Sequence, residues 1–318
     1  MKAFQVLAHD RPAELVDIDP PQPGPGEIAV RVEACGLNHA DLLMARGSYQ
    51  ETPEPPFTLG LEFCGIVEAA GPGVAQPAPG TRVAAYAGQG GLAERAVVAA
   101  ARCRPVPPGM SPDIAAGFQI AYGTSHLALV RRAGLAPGET LLVLGAAGGV
   151  GLTAVEIGAA LGARVVAVAK GAAKAAIARG AGAGTVIDSD DPDLRARLKA
   201  LGGVDVVYDA VGGDLFGPAL SACRPEARYL VIGFAGGLPE MRPNHLLVKN
   251  VSVAGVYWGG YLTFAPEVLF DGLSELMEWH AQGRLRPVIG HVLPLGRAAE
   301  ALELLRTRQA TGKIIVRP

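Results

Sequence analysis

The fold of this chain is decided by the stretch Leu141-Leu142-Val143-Leu144-Gly145-Ala146-Ala147-Gly148-Gly149-Val150-Gly151. Its four leading apolar residues indicate a buried strand, and the glycine-rich turn after them is followed by a helical pattern. Glycines let the backbone approach a pyrophosphate closely, and the N–H groups that begin a helix bind negative charge. The GxGxxG pattern is incomplete, because its first position is Ala146. The context still predicts a dinucleotide site, with a packing turn as the alternative; its residues are Ala146, Gly148, Gly149, Val150 and Gly151.

The same alternation of strand, glycine and helix extends over residues 120–255. Short apolar runs give strand candidates at residues 140–144, 164–169, 185–187, 204–208, 228–232 and 251–256. The intervening helices stop at Gly162, Gly180 and Gly202, where a left-handed C-cap suits glycine. Strands in βαβ alternation predict a doubly wound parallel sheet, the Rossmann arrangement.

The two ends of the chain follow other patterns. Residues 1–119 alternate short strands with turns around one helix near residues 39–46, which indicates a mostly β region. Residues 256–318 contain two amphipathic helices and a last strand at 314–316, too little for a separate domain. We therefore expect the C-terminal part to pack on the N-terminal part.

Composition and charge exclude several classes of function. The 318 residues carry a net charge of −2 without long runs of like charge, so nucleic acid and anionic membranes are not expected partners. No apolar run reaches the ~20 residues of a transmembrane helix, and the N-terminus does not resemble a signal peptide. The four cysteines form no CxxC pair, which disfavours a structural zinc site. These features predict a cytoplasmic protein with buried, reduced thiols.

The end of the second strand of the predicted Rossmann sheet indicates which nucleotide binds. An enzyme specific for NAD usually has an acid there, whereas this chain has Lys170 and, one helical turn later, Lys174. Ammonium groups suit a 2′-phosphate, so the sequence favours NADPH. A solvated lysine face is the alternative, and the acidic segment 188–191 opposes a phosphate.

Several spaced segments carry a family resemblance. They are residues 33–42, 46–49, 59–67 and 146–151, and the ending Gly312-Lys313-Ile314-Ile315-Val316. Together they resemble the medium-chain dehydrogenase/reductase superfamily, and within it the quinone oxidoreductase (zeta-crystallin-like) branch. The resemblance implies a GroES-like catalytic domain formed by residues 1–119 and 256–318. It also implies a Rossmann cofactor domain at 120–255, an active site in the cleft between the two, and a dimer or tetramer.

The resemblance also bears on metal binding. Where zinc-dependent members of the superfamily carry their ligands, this chain has Asn38, Leu61 and, near the third position, Ala116 and Gly117. We therefore expect no functional metal. Without a Lewis acid an alcoholate lacks stabilisation, whereas a conjugated acceptor delocalises the incoming charge itself. The expected substrate is accordingly a quinone or an enone.

Other site residues follow from the resemblance. Asn38 is implied near the nicotinamide ribose or the substrate oxygen, where its amide could donate to a developing oxyanion, and a turn-stabilising role is the alternative. Tyr49 matches a tyrosine that is a proposed proton donor in the enoyl reductases of the superfamily. The alternative is that Tyr49 is an exposed tyrosine in a turn. Lys313 matches a family position near the cofactor phosphates. The alternative is that Lys313 is an ordinary lysine at a strand edge. Implied contacts to the nicotinamide half are Gly233 and Phe234, and Leu61 is expected in the substrate pocket. Tyr257 and Trp258, just past the sixth strand, are expected to line the same pocket, with a place in the core as the alternative.

The sequence thus predicts an NADPH-dependent reductase of small electron-poor acceptors. Two alternatives stay open: a trans-2-enoyl thioester reductase, and a non-catalytic NADPH-binding protein. The apolar last strand of the Rossmann sheet, at 251–256, would otherwise expose unpaired backbone groups, and it predicts a dimer through that edge.

Overall fold

The structure, a computed structural model, describes residues 1–318. The chain divides into two compact units. The terminal unit consists of Met1–Ile120 and Pro287–Pro318, and the central unit consists of Ala121–Arg286.

Sixteen strands build the sheets of the two units. They are β1 (Lys2–Val6), β2 (Glu14–Asp17), β3 (Glu27–Gly36), β4 (Phe57–Thr58), β5 (Glu62–Ala70), β6 (Arg82–Tyr86), β7 (Arg95–Ala99), β8 (Cys103–Pro105), β9 (Thr140–Leu144), β10 (Arg164–Val168), β11 (Thr185–Ile187), β12 (Val204–Asp209), β13 (Cys223–Val231), β14 (Ser252–Gly255), β15 (Ile289–Pro294) and β16 (Lys313–Arg317).

Eleven α-helices accompany these strands. They are α1 (His39–Ala45), α2 (Pro112–Ala116), α3 (Gln119–His126), α4 (Gly149–Ala160), α5 (Gly171–Gly180), α6 (Leu194–Ala200), α7 (Phe216–Ala222), α8 (Pro243–Leu247), α9 (Tyr261–Phe264), α10 (Pro266–Ala281) and α11 (Ala298–Arg306). A π-helical segment, Leu127–Arg132, continues α3. No helix combines the length and the apolar character that crossing a membrane would require.

The terminal unit is a mostly antiparallel β structure, as the sequence predicted. Its larger sheet has the order β15-β16-β3-β5-β6-β8, with β7 paired to β3, and a smaller sheet has the order β2-β1-β4. The last strand of the chain lies inside the larger sheet, because Ile315 on β16 pairs with Gly36 on β3. The residues after 286 therefore complete a sheet that the first third of the chain begins. Sequence patterns missed β1, β2, β4, β8 and β15.

The central unit is built on a six-stranded parallel sheet with the order β11-β10-β9-β12-β13-β14. All five residues of β9 are buried, as expected for a strand that is covered on both faces. Counted from β9, the strand order is 3-2-1-4-5-6, that of the doubly wound dinucleotide-binding fold. This confirms the predicted α/β fold class. The order reverses between β9 and β12, so loops leaving their carboxyl ends diverge and open a crevice.

Residues 256–286 belong to the central unit, whereas the sequence analysis placed them with the terminal domain. Gly272 on α10 lies against the ring of His126, where an added Cβ would come within 2.8 Å of Nδ1. The N–H of Arg286 donates to Glu156 on α4. The apolar face of α10 buries Leu269, Leu273, Leu276 and Trp279. Sequence periodicity identified this helix as amphipathic, but periodicity does not say which surface the apolar face covers.

Candidate active site

The glycine-rich turn joins β9 to α4 by a close backbone approach. Gly145 has a φ of +75°, which side chains rarely tolerate. A Cβ at Gly151 would lie 2.1 Å from the carbonyl oxygen of Gly145, so only glycine lets the helix start so near the strand. Gly148 is the N-cap of α4 and provides no side-chain cap. The first N–H groups of α4, from Gly149 onward, are therefore the donors that a phosphate would use.

A network of hydroxyl groups joins α3, α4 and β12 next to this turn, and sequence reasoning missed it. The Oγ of Ser125 on α3 lies 2.8 Å from Thr153 Oγ1 on α4 and 2.9 Å from the hydroxyl of Tyr208 on β12. Ser125 also donates to the carbonyl of Val150. These groups satisfy one another in a buried position, which fixes the turn relative to the sheet. Because Ser125, Thr153 and Tyr208 are far apart in the chain, no local sequence motif predicts this network.

The loops after β12 and β13 meet at the same edge of the sheet. Asp209 is buried and accepts hydrogen bonds from the N–H groups of Val211 and Gly212, both at 2.8 Å, and from the hydroxyl of Tyr229 at 2.7 Å. The N–H of Gly233 donates to the carbonyl of Asp209. Asp209 was not predicted as a site residue. It holds the segment containing Gly233 and Phe234 next to the crevice, and Phe234 is 45% exposed there.

The two predicted phosphate-binding lysines lie at the start of α5. Lys170 is its N-cap residue, and its Nζ lies 2.8 Å from Asp190 Oδ2 in an exposed ion pair. This hydrogen bond raises the pKa of Lys170. Asp188 accepts the N–H of Gly171 at 2.9 Å, and backbone hydrogen bonds lower the pKa of its carboxyl. Lys174 is half-buried one turn later. Of the acids that the sequence places nearby, Asp190 thus lies in direct contact with Lys170.

A buried polar group in the terminal unit, which we call the Lys313 cluster, consists of Lys313, Asn38 and Glu62. The Nζ of Lys313 donates to Asn38 Oδ1 at 2.8 Å and to Glu62 Oε1 at 2.9 Å. The Nδ2 of Asn38 donates to Glu62 Oε1 at 3.0 Å and to the carbonyl of Gly36 at 3.2 Å. Because an ammonium only donates, the amide oxygen of Asn38 must face it. Both amide hydrogens are therefore in use, and this arrangement leaves none for a substrate oxygen.

Two groups adjoin the Lys313 cluster that sequence reasoning did not select. Asp41 on α1 accepts the N–H of Asn38 at 2.8 Å and of Gly60 at 3.1 Å. Burial raises the pKa of Asp41 to about 7. Gln119, at the start of α3, is buried, and its Nε2 has no hydrogen-bond partner. Gln119 therefore carries a donor that the terminal unit does not use.

The other predicted residues of the terminal unit have different surroundings. Tyr49 is half-buried in the turn after α1, and Thr52 donates to its carbonyl. The phenol of Tyr49 lies near enough to Tyr86 to contribute to the raised pKa of that residue, for which burial is the main cause. Leu61 is 1% exposed, so its side chain is part of the core rather than of an open surface. The substrate contact predicted for Leu61 stays a prediction.

Trp258 lines a cavity of about 260 Å³ within the central unit, between α3 and α10. Its indole nitrogen lies over Gly123, where an added Cβ would come within 2.5 Å. Sequence reasoning missed the polar pair in the same cavity, His126 Nε2 and Glu275 Oε2, which lie 3.0 Å apart. Tyr257, the residue before Trp258, is half-buried, and its ring lies against Gly260. Trp258 therefore lines a cavity within the central unit together with His126 and Glu275.

Comparisons with known proteins match both units. A family model described as "Zinc-binding dehydrogenase" matches residues 149–276, and one described as "Alcohol dehydrogenase GroES-like domain" matches residues 24–108. The chain is 37% identical to "Quinone oxidoreductase-like protein 2" of Bos taurus, over 96% of this chain and 89% of that protein.

Two solved structures are similar over their full lengths. The quinone oxidoreductase of Thermus thermophilus, also described in complex with NADPH, has a TM-score of 0.89 at 36% identity, with 100% of both chains covered. The Escherichia coli quinone oxidoreductase complexed with NADPH has a TM-score of 0.92 at 29% identity, again with 100% of both chains covered.

The name of the first family model implies a zinc ion, and the residues present do not fit one. The chain has no group of three or more His, Cys, Asp or Glu side chains that could hold a metal ion. The amide oxygen of Asn38 accepts a hydrogen bond from the ammonium of Lys313, and the side chain of Leu61 has no atom that could bind a metal. Zinc prefers thiolate and imidazole ligands in tetrahedral sets, and neither Asn38 nor Leu61 supplies such a group.

Proposed function

Since the chain belongs to the medium-chain dehydrogenase/reductase superfamily, in its quinone oxidoreductase branch, we propose that it is an NADPH-dependent reductase of small electron-poor acceptors, such as quinones and enones. The observation that carries this proposal is the glycine turn at the point where the order of the parallel strands reverses. That place is where a dinucleotide binds in this fold, and the related quinone oxidoreductases are described with NADPH.

The chain's own residues would hold the cofactor in three places. The N–H groups at the start of α4 would bind the pyrophosphate, and Lys170 and Lys174 would attract the 2′-phosphate. Gly233 and Phe234, fixed by Asp209, would contact the nicotinamide half. When bound, NADPH supplies the hydride, and the protein supplies orientation and exclusion of water.

We propose that turnover needs no metal. The reason is the chemistry of the residues at the ligand positions implied by the family, since Asn38 and Leu61 offer neither thiolate nor imidazole. An acceptor reduced without a Lewis acid must delocalise the incoming charge itself, which favours quinones and enones over simple ketones. Elemental analysis of active protein should find no stoichiometric zinc, and a zinc requirement for turnover would contradict the proposal.

For acceptors that need a proton, Tyr49 is the proposed donor. Asn38 is the weaker candidate, because both of its amide hydrogens are already used inside the Lys313 cluster. A half-buried phenol can deliver a proton to a substrate and be recharged by solvent. Asn38 is better described as a residue that fixes the backbone around the site.

A single experiment separates the three readings of function. The rate of NADPH oxidation is measured over a panel of quinones, short enones and trans-2-enoyl thioesters at equal concentrations. The proposal expects kcat/KM for the best quinone or enone to exceed that for the best thioester. The reverse order would favour an enoyl thioester reductase, and NADPH binding without turnover of any acceptor would favour a non-catalytic role.

We also propose that the chain forms a homodimer through β14. This strand is the edge of the parallel sheet, and its backbone can pair with a second copy across a twofold axis. Leu247 and Val248, which lie a few residues before the strand, are 79% and 74% exposed. Apolar side chains that are this exposed beside an unpaired strand edge are best explained if a second copy of the chain covers them.

The cytoplasm is the proposed location. All four cysteines are buried as free thiols, and burial raises the pKa of each. Thiols that stay reduced suit a reducing compartment, where NADPH is also regenerated. Fractionation of cells that produce the native chain tests this assignment.

A further inference from the structure

The ammonium of Lys313 lies in a cage of three oxygen atoms. Its Nζ donates to the carbonyl of Leu37 at 2.8 Å, to Asn38 Oδ1 at 2.8 Å and to Glu62 Oε1 at 2.9 Å. An ammonium has three donors, so the cage uses all of them. Lys313 is 6% exposed and Glu62 is fully buried. The cation therefore interacts with the cage and almost not at all with solvent.

The stem of Lys313 occupies the remaining space beside the cage. A Cβ at Gly117 would lie 2.9 Å from Cε of Lys313. Gly117 lies near one position at which the family resemblance places a metal ligand in zinc-dependent members, and Asn38 stands at another. Leu61, at the third, directly precedes Glu62 in the chain. One lysine side chain thus contacts the surroundings of all three positions.

We propose that Lys313 is a built-in cation that takes the place of a metal ion in the terminal unit. Its charge balances Glu62, its hydrogen bond orients the amide of Asn38, and its ammonium fills the volume that a bound ion would need. Lys313 is accordingly a positioning residue. This inference goes beyond the proposed function, since it concerns the charge balance inside the terminal unit and does not depend on the acceptor.

The chemistry of the cage predicts the effect of removing the lysine. A carbonyl, an amide oxygen and a carboxylate are ligands that hard cations prefer. Without Lys313 the carboxylate of Glu62 is buried and uncompensated, which is strongly unfavourable. An ion from solution would then restore the balance. The cage should bind a cation when, and only when, its own cation is absent.

Two variants test this with Mn²⁺, which prefers oxygen ligands. Lys313→Ala combined with Asn38→Asp keeps three oxygens and adds a carboxylate, and Asn38→Asp alone keeps the lysine. We expect the double variant to bind one Mn²⁺ per chain, detected by electron paramagnetic resonance, at least about tenfold more tightly than the single variant. Bound Mn²⁺ should also raise the Tm of the double variant alone. Equal Mn²⁺ affinity in the two variants would overturn the proposal.

Lys313→Ala in the otherwise native chain gives an independent test. Ammonium or ethylammonium ions should raise its Tm, or restore folding if it does not fold alone, whereas equal concentrations of tetramethylammonium should not. A specific cation site would be contradicted if none of these ions raised the Tm. It would also be contradicted if tetramethylammonium raised the Tm as much as ammonium or ethylammonium. Arg317→Ala is the matched control, because Arg317 is on the same strand in an exposed pair with Asp113 at 2.9 Å. No measurement here uses turnover, so the result stands apart from the proposed reductase activity.

Discussion

The ammonium of Lys313 and the carboxylate of Glu62 form a hydrogen-bonded ion pair at 2.9 Å, although 251 residues separate them in the chain. The pair links β16, the last strand, to β5 in the sheet that the N-terminal residues begin. It is also almost completely buried, so each charge depends on the other for its stabilisation.

Neutralising one member of this pair should destabilise the protein more than neutralising both. We expect Lys313→Met or Glu62→Gln to lower the free energy of unfolding by about 3–5 kcal/mol, because each leaves a buried charge without its partner. The double variant should lose less than either single variant, and therefore less than the sum of the two. Urea unfolding of all four proteins measures the coupling energy. Additive losses would mean that the two charges do not depend on each other.

Asp41 should make stability depend on pH between about 4 and 7. Its folded-state pKa is raised from 3.8 to about 7 by burial, so the folded state binds the proton more tightly than the unfolded state. Stability from this group is full below the unfolded pKa and is lost as pH rises through the folded pKa. Asp41→Asn removes this titration. The difference in unfolding free energy between the native chain and the variant should therefore shift, by a few kcal/mol, in favour of the variant as pH rises.

Asp10→Asn is a control for this experiment, since Asp10 is an exposed carboxylate in the same unit. Its pH profile of stability should follow that of the native chain. If Asp41→Asn also follows the native profile, the carboxyl of Asp41 titrates alike in the folded and unfolded states.

The predictability of this fold from sequence depends on how local each signal is. The central sheet was predictable because its strands are apolar runs and its turn is a contiguous glycine motif, and the observed strands lie close to the predicted ones. The Lys313 cluster was not, because Asn38, Glu62 and Lys313 meet only after β16 joins the sheet. Sequence reasoning selected Asn38 and Lys313 for separate roles. No pattern within either segment indicates that one residue orients the other.

The same limit applies at the edges of the predicted site. Ser125 and Asp209 support the cofactor loop through contacts between distant segments, and a serine or an aspartate has no distinguishing local context. Lys170 illustrates the opposite case. Its charge and the acids after β11 were both visible in the sequence, but only the structure pairs it with Asp190.

Tyr49→Phe tests the proposed proton donor. We expect kcat for enones to fall by about 100-fold or more, since a positioned general acid contributes at least that much. Quinones that accept a hydride and take a proton from water should be affected far less, and the Kd of NADPH should not change. Tyr261→Phe, which removes a phenol on α9 of the central unit, serves as the control. Equal losses for both acceptor classes would indicate a structural role for Tyr49 instead.

Charges placed beside the open sheet edge should dissociate the proposed homodimer. Leu247→Glu combined with Val248→Glu puts two carboxylates next to their symmetry copies, where they repel and cannot be solvated. We expect sedimentation at micromolar concentration to give a dimer for the native chain and a monomer for the variant. Phe264→Glu, at a residue that is 69% exposed elsewhere in the central unit, should leave the dimer intact. A native monomer would contradict the proposal directly.

Discrimination between NADPH and NADH should depend on the pair formed by Lys170 and Asp190. In the structure Asp190 neutralises Lys170 at 2.8 Å, so the lysine must exchange this partner for the 2′-phosphate. Lys170→Ala and Lys174→Ala should therefore narrow the ratio of the two dissociation constants, and Asp190→Asn should widen it, by about tenfold each. The pair is exposed, so the preference for NADPH should weaken as salt is added.

Arg179→Ala is the control for these variants, because it removes a cation from the far end of the same helix, α5. Its ratio of dissociation constants, measured by quenching of protein fluorescence, should match that of the native chain. The direction of the Asp190→Asn effect is the decisive result. If the lysine binds the phosphate, freeing it from Asp190 must tighten NADPH binding while NADH binding changes little. Equal dissociation constants for the two nucleotides at low salt in the native chain would make both lysines ordinary surface residues.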